Sequence, residues 1–298
     1  MADYAYRIVN VFTHGGAFTG NPLCVFEDAR GLDDATLQGL ALQFNLSETT
    51  FVLPSEKADA RVRIYTPAYE MPFAGHPTLG TAFVVNAQRH GGGEVTLEMK
   101  AGVIPVRCID NTKQRWQLEA NAPTWRDVRD PRGDQHVDQR NGQPGISRGA
   151  LAHALGLTEN DIGDAPRWIN AGKEQLVVPL TSVEAVDCCS AGTMQLGALK
   201  SMDGDSMAYV FHDDGREIHA RFFFPGNGAV LEDPATGSAC ANLGGWFLAQ
   251  DSVVPLSRVV LQGKHVRRPS RLFLDIDASR TVRVAGDVLE LARGTLTL

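Results

Sequence analysis

Apolar and polar residues alternate over short stretches along most of this 298-residue chain. Alternation of period two predicts half-buried strands, and such stretches outnumber those with helical spacing. In the first half, residues 6–12 (YRIVNVF) read as a strand, and 22–26 continue it after a turn at Gly20-Asn21. Residues 32–44 place apolar positions at helical spacing, with Asp33 or Asp34 as N-cap. Strand-like pieces follow at 49–53, 61–65, 94–99, 104–108 and 116–119. Among them, 76–87 is apolar, rich in small residues and long enough for a buried helix.

The second half repeats this layout. Residues 148–155 predict a helix closed by Gly156. Strands are expected at 167–170, 175–180, 207–212 and 218–224, and a second apolar helix at 238–250. Alternation resumes at 259–262, 272–276, 282–285 and 288–291. A helix that is apolar on most sides needs cover all round, which a curled sheet supplies. Each half therefore reads as α+β, one sheet around one helix, and the similar contexts of the two helices read as a weak internal repeat. The polar stretch 124–147 (TWRDVRDPRGDQHVDQRNGQPGIS) is the expected boundary, giving domains at 1–124 and 125–285.

Composition narrows the function classes. The chain is 43% hydrophobic and 21% charged, as soluble globular proteins are, and long enough for two cores. A formal net charge of −7 argues against a general nucleic-acid binder. Lys264, Arg267, Arg268 and Arg271 gather between expected strands and read as a solvated loop. With no secretory leader and no apolar run of membrane-spanning length, a cytoplasmic protein without a membrane partner is expected. Cysteines at 24, 108, 188, 189 and 240 are odd in number and lack a CxxC pair, which suits a reduced protein.

Three segments carry candidate chemistry. In Pro72-Phe73-Ala74-Gly75-His76-Pro77-Thr78, a glycine and a first-turn proline open the first apolar helix. The N–H groups there can bind a carboxylate, and His76 can donate to it or shuttle a proton. In Glu232-Asp233-Pro234-Ala235-Thr236-Gly237-Ser238-Ala239, the same arrangement opens the second. N-capping by Asp233, Thr236 or Ser238 is the competing reading, and a structural hydrogen bond is the competing role for His76. In Asn45-Leu46-Ser47-Glu48-Thr49-Thr50-Phe51, Glu48 begins an apolar strand. Facing inward it would have a raised pKa and could serve as general base or acid; facing outward it is a surface residue.

In order, VFT…FTGNPLCVF, NLSETTFVLP, FAGHPTLGTA, RFFFPGNG…EDPATGSACANLGGWFL, QGKHVRRPSRLFL and VRVAGDVLEL span the chain from about Val9 to Leu291. This combination resembles the PhzF-like isomerases of phenazine biosynthesis. The resemblance implies a diaminopimelate epimerase-like fold: two similar domains, each a curled, mainly antiparallel sheet around a central helix, with the active site in the cleft between them. It implies that the C-terminal strand, about 286–298, returns to the first domain, and that the protein is a homodimer. It also implies an isomerase acting on a small carboxylate-bearing substrate without metal or organic cofactor, as in the isomerisation of trans-2,3-dihydro-3-hydroxyanthranilate. Glu48 of the SET motif would move the proton, with His76, Asp233 and Ser238 assisting. Gly75, Pro77, Thr236, Gly237 and Ala239 match the substrate-binding turns.

Diaminopimelate epimerase and proline racemase carry a cysteine at each turn. Here the turns read Ala74-Gly75-His76 and Pro234-Ala235-Thr236-Gly237, and Cys240 lies further into the helix. Two-thiol racemisation is disfavoured, although epimerisation of an amino-acid-like substrate stays open, as does a non-catalytic binding protein with the same cleft. A Ser238-His76-Asp233 hydrolase lacks the G-x-S-x-G elbow. His212, His219, Asp213 and Asp214 fit turn chemistry better than a metal site. Gly226-Asn227-Gly228 is no dinucleotide fingerprint.

Overall fold

Two apolar helices, Gly75–Gln88 and Gly237–Ala249, each lie inside a sheet that curls around them. The computed structural model describes residues 1–128, 146–226 and 228–298. Burial covers nearly every face of both helices, from His76 to Ala82 in one and from Ala239 to Gly245 in the other. Small residues let the strands close in. A Cβ on Gly80 would lie 2.7 Å from Leu23 Cδ2 and 2.9 Å from Val11 Cγ2, and one on Gly245 would lie 2.6 Å from Ile169 Cγ2. Around them, Leu79, Leu97 and Trp116 are fully buried. A side chain of that size contributes about 1.5–3 kcal/mol by leaving water.

The two halves follow the same pairing order. In the first, Asp3–Val11 pairs antiparallel with Asn21–Phe26, which runs parallel to Glu48–Leu53, itself antiparallel to Ala60–Tyr65. The short strand Glu70–Met71 then leads into the first central helix, and Glu94–Met99 returns parallel to Ala60–Tyr65 before Gly102–Asp110 and Arg115–Glu119 complete the set. In the second, Arg167–Asn170, Glu174–Pro179, Ala208–Asp213 and Ile218–Gly226 repeat the antiparallel, parallel, antiparallel series. Ala229–Asp233 leads into the second central helix, and Leu256–Gln262 returns parallel to Ile218–Gly226, followed by Ser270–Ile276. Parallel neighbours need a crossover. An outer helix, Asp34–Phe44, supplies one in the first half; Val183–Cys188 and Thr193–Gly197 supply it in the second.

The seam between the halves is one 16-residue strand, Val282–Thr297. Its beginning lies between Arg115–Glu119 of the first half and Ser270–Ile276 of the second. Its remainder pairs with Asp3–Val11, closing the first sheet on itself. Alternation had suggested two pieces here; continuous pairing makes them one.

Further departures from the sequence reading have physical causes. Thr124–Asp127 is a strand bound to Arg167–Asn170, so the expected linker begins inside the second sheet; its 129–145 part lies outside the described residues, as does Asn227. Of the basic run, Lys264, Arg267 and Arg268 lie in a loop, but Arg271 belongs to the strand Ser270–Ile276 and Arg268 is half-buried. It donates to the Gly20 carbonyl (2.7 Å) and to Asn10 Oδ1 (3.0 Å), clasping the first half from the second. Glu70–Met71 and Ala229–Asp233 carry too little alternation to be seen, and their partners define them.

Candidate active site

The central helices meet end to end. A Cβ on Gly75 would lie 3.6 Å from Gly237 Cα, across the junction of the two halves. Neither N-cap residue, Ala74 or Thr236, bonds to its helix through a side chain. The first N–H groups of a helix have no intrahelical acceptor and carry the positive end of its dipole. Gly75, His76, Gly237, Ser238 and Ala239 therefore converge as two uncapped, electropositive turns, suited to an anion such as a carboxylate. Pro77 is buried and has no N–H, so it shapes the first turn without donating.

Glu48 opens the strand Glu48–Leu53 beside Leu23, and His76 sits in the first turn of the neighbouring helix. Glu48 Oε2 lies 3.2 Å from His76 Nε2, with the side chains 15% and 7% exposed. Neither atom is engaged in a well-aligned hydrogen bond. Burial pushes the Glu48 carboxyl up to about 8, with the field of Asp233 adding to it. Burial also pushes His76 down to about 3, the Pro22 carbonyl opposing only in part. At neutral pH the pair is a protonated carboxyl beside a neutral imidazole.

Asp233 ends the strand Ala229–Asp233 and meets a different environment. Burial pushes it up to about 6, against hydrogen bonds from Thr236 and Asn21, with Glu232 adding to the rise. Thr236 Oγ1 donates to Asp233 Oδ2 (2.6 Å). Gln262 fixes that direction, since its Nε2 donates to Thr236 Oγ1 (3.0 Å) and to the Asp233 carbonyl (2.9 Å). Asn21 Nδ2 donates to Asp233 Oδ1 and to the Ala235 carbonyl, both at 3.0 Å, and its Oδ1 accepts from Ser47 Oγ at 3.1 Å. Both Asp233 oxygens thus accept hydrogen bonds, which favours the anion; the facing oxygen of Glu48 accepts none, which favours the acid.

Ser238 Oγ accepts from Gln175 Nε2 at 3.0 Å, and Asn242 Nδ2 donates to Gln175 Oε1 at 2.8 Å. Ser238 is thereby anchored within its own half, its hydroxyl bonded to neither His76 nor Asp233. The capping roles considered for Asp233, Thr236 and Ser238 are not what the structure shows. Asn21, Gln175 and Gln262 escaped the sequence reading. Asn21 and Gln262 fall within the FTGNP and QGKH stretches that carry the family likeness, the one signal that points to them.

Phe12 spaces the halves. It is fully buried, adopts φ +64°, and its Cζ would meet a Cβ on Gly237 at 3.3 Å. On its other side Gly286 makes room, since a Cβ there would fall 2.1 Å from Phe12 Cδ1. A bulky residue with positive φ is uncommon and is held by its surroundings. Met71 and Phe73 pack against the core, while Tyr69 is 59% exposed. Among the described residues no three His, Cys, Asp or Glu side chains gather as metal ligands. His212 bonds to the Leu180 carbonyl (2.9 Å), and Asp213 and Asp214 accept from the backbone of their own turn. Cys240 is fully buried in the helix and its thiol is held well above the ordinary range by burial. Among the described residues no helix is long and apolar enough to cross a membrane.

Comparison with known proteins gives a consistent answer. The family model described as phenazine biosynthesis-like protein, PhzC-PhzF, matches residues 9–294. An uncharacterised isomerase of Pasteurella multocida is 38% identical, over 99% of this chain and 95% of its own length. The trans-2,3-dihydro-3-hydroxyanthranilate isomerase of Pseudomonas aeruginosa is 32% identical over 98% of both chains. Among solved structures, a predicted epimerase of Pseudomonas aeruginosa superposes with TM-score 0.80 at 28% identity, covering 99% of each chain. A hydroxyproline epimerase of Agrobacterium vitis shares the fold at 12% identity, with TM-score 0.61 over 99% of this chain and 93% of that one. The matched helices, turns and sheets have the diaminopimelate epimerase-like arrangement, and the chain belongs to the phenazine biosynthesis-like PhzC-PhzF family of isomerases and epimerases.

Proposed function

We propose that this protein isomerises a small carboxylate-bearing metabolite by moving a proton with Glu48, without a cofactor, in the manner of trans-2,3-dihydro-3-hydroxyanthranilate isomerisation. The observation that carries the reading is the pairing of a buried Glu48 with two uncapped helix N-termini at one junction. The substrate carboxylate binds the N–H groups at Gly75, His76, Gly237, Ser238 and Ala239. Removing a proton from the adjacent unsaturated framework builds charge, which these preorganised dipoles stabilise. Ionised Glu48 takes the proton from one carbon, exchanges it in part with solvent while carrying it, and delivers a proton to another carbon, so the carboxyl ends each cycle as it began. Neutral His76 packs against that carboxyl without adding charge, and anionic Asp233 disfavours charge on Glu48, keeping it a strong enough base.

Turnover of trans-2,3-dihydro-3-hydroxyanthranilate and of a panel of unsaturated and amino carboxylic acids tests this, followed by absorbance and proton NMR. Isomerisation of at least one carboxylate, with its amide analogue inert, is expected. Equal turnover of acid and amide would contradict the carboxylate site.

A further inference from the structure

Asn21 stands where the two halves exchange hydrogen bonds. It is 1% exposed and belongs to the strand Asn21–Phe26 of the first half, yet its amide reaches Asp233 and Ala235 of the second. Its orientation is fixed by chemistry. The Ala235 carbonyl can only accept, so the NH2 group faces the second half, while the carbonyl oxygen receives the Ser47 hydroxyl next to Glu48. The backbone beneath it is equally constrained. Gly20 adopts φ +76°, a Cβ there would fall 2.4 Å from the Val11 carbonyl oxygen, and Arg268 grips the Gly20 carbonyl from the second half.

The surroundings leave Asp233 few ways to carry charge. No cation pairs with it among the described residues. The ionisable groups whose fields act between it and its neighbours are Glu48, Glu232 and the Tyr209 hydroxyl. Of these, Glu232 is paired to Arg221 at 2.8 Å, and Tyr209 is fully buried with its hydroxyl unbonded. Among the described residues, only Thr236 and Asn21 donate to the carboxylate through side chains.

We propose that Asn21 is a positioning residue of the proton-transfer site: its amide holds Asp233 as the anion of the carboxyl pair and ties that turn, through Ser47, to the strand carrying Glu48. The role rests on the reading of Glu48 as the proton carrier, since the anion at Asp233 adds to burial in making ionised Glu48 a stronger base.

The test is a carbon-13 NMR titration of protein labelled at aspartate Cγ, with the Asp233 signal identified by its loss in Asp233→Asn. Removing a hydrogen bond to a charged acceptor moves a titration midpoint by about one pH unit. Asn21→Ala and the shape-retaining Asn21→Leu are therefore expected to raise the Asp233 midpoint by about that amount, while Ser47→Ala, which leaves both Asp233 contacts intact, is expected to move it far less. An unmoved midpoint in either folded Asn21 variant would overturn the proposal. No substrate is needed, so a chain in which Glu48 proved idle would still show the Asn21 shift while its Glu48→Gln variant kept proton exchange at the parent rate. The two readings thus fail separately.

Discussion

Glu48 Oε2 and His76 Nε2 lie 3.2 Å apart at the meeting point of two helices, and neither has a well-aligned hydrogen-bond partner. A carboxyl held protonated up to about 8 is a weak acid and, once ionised, a strong base. Proton abstraction needs the ionised form. For a reaction limited by that step, kcat/KM should rise about tenfold per pH unit up to about 8 and then level off. His76 is neutral throughout this range and adds no inflection near its ordinary value. A flat profile between roughly pH 6 and 9 would assign the base elsewhere.

The same burial predicts a stability signature that needs no substrate. Folding disfavours ionised Glu48, so the unfolded chain loses that proton first. This group's contribution to stability therefore falls as pH climbs from about 4.5 to about 8 and is constant above. Glu48→Gln escapes the loss. Its stability relative to the parent should grow through that window by on the order of a few kcal/mol, as read from urea unfolding at a series of pH values. His76, held neutral, acts oppositely: its own contribution declines as pH falls below about 6.5, by the same amount in both proteins, so it cancels from their difference. A relative stability independent of pH would show that Glu48 is solvated.

The fold was legible in the chain because its period is. Residues 95–99 and 270–276 alternate cleanly between buried and half-buried positions, and the two small-residue helices have no polar face to turn outward. Glu48, His76 and Ser238 stand in short motifs at element starts, and Asp233 closes a strand just before the second central helix, places where local signals are strongest. Asn21, Gln175 and Gln262 were illegible for the opposite reason. Each is an ordinary amide whose meaning lies in a partner far along the chain, 212 residues away for Asn21 and Asp233. Ala229–Asp233 likewise has half-exposed residues and little alternation, so only its pairing with Ile218–Gly226 makes it a strand.

Gly75 and Gly237 offer a separation of binding from folding. Neither has a positive φ, so alanine is allowed by the backbone. In a helix it is favoured over glycine by about 1 kcal/mol. An added methyl would lie 3.6 Å from Gly237 Cα in one case and 3.3 Å from Phe12 Cζ in the other, filling the space where the two turns converge. Gly75→Ala should therefore keep the parent Tm or raise it slightly, while KM for a carboxylate substrate rises about tenfold, the equivalent of one lost contact. A variant with lowered Tm and unchanged KM would make that glycine structural.

Cys240 distinguishes this site from thiol-based racemisation. Its thiol is fully buried and held far from ionisation. Cys240→Ala should leave kcat within about twofold of the parent, and iodoacetamide at neutral pH should leave activity intact, because thiolate is the reacting form. Loss of activity by about a hundredfold in a folded Cys240→Ala protein would bring the thiol back into the mechanism.

The central claim is that Glu48 carries the proton, and deuterium exchange reads it directly. Substrate is incubated in heavy water with the parent protein and with Glu48→Gln, and incorporation at carbon is followed by proton NMR. The account predicts incorporation by the parent and a loss of at least about a hundredfold in the variant, with the variant's fold confirmed by circular dichroism. Incorporation at the parent rate in Glu48→Gln would contradict it.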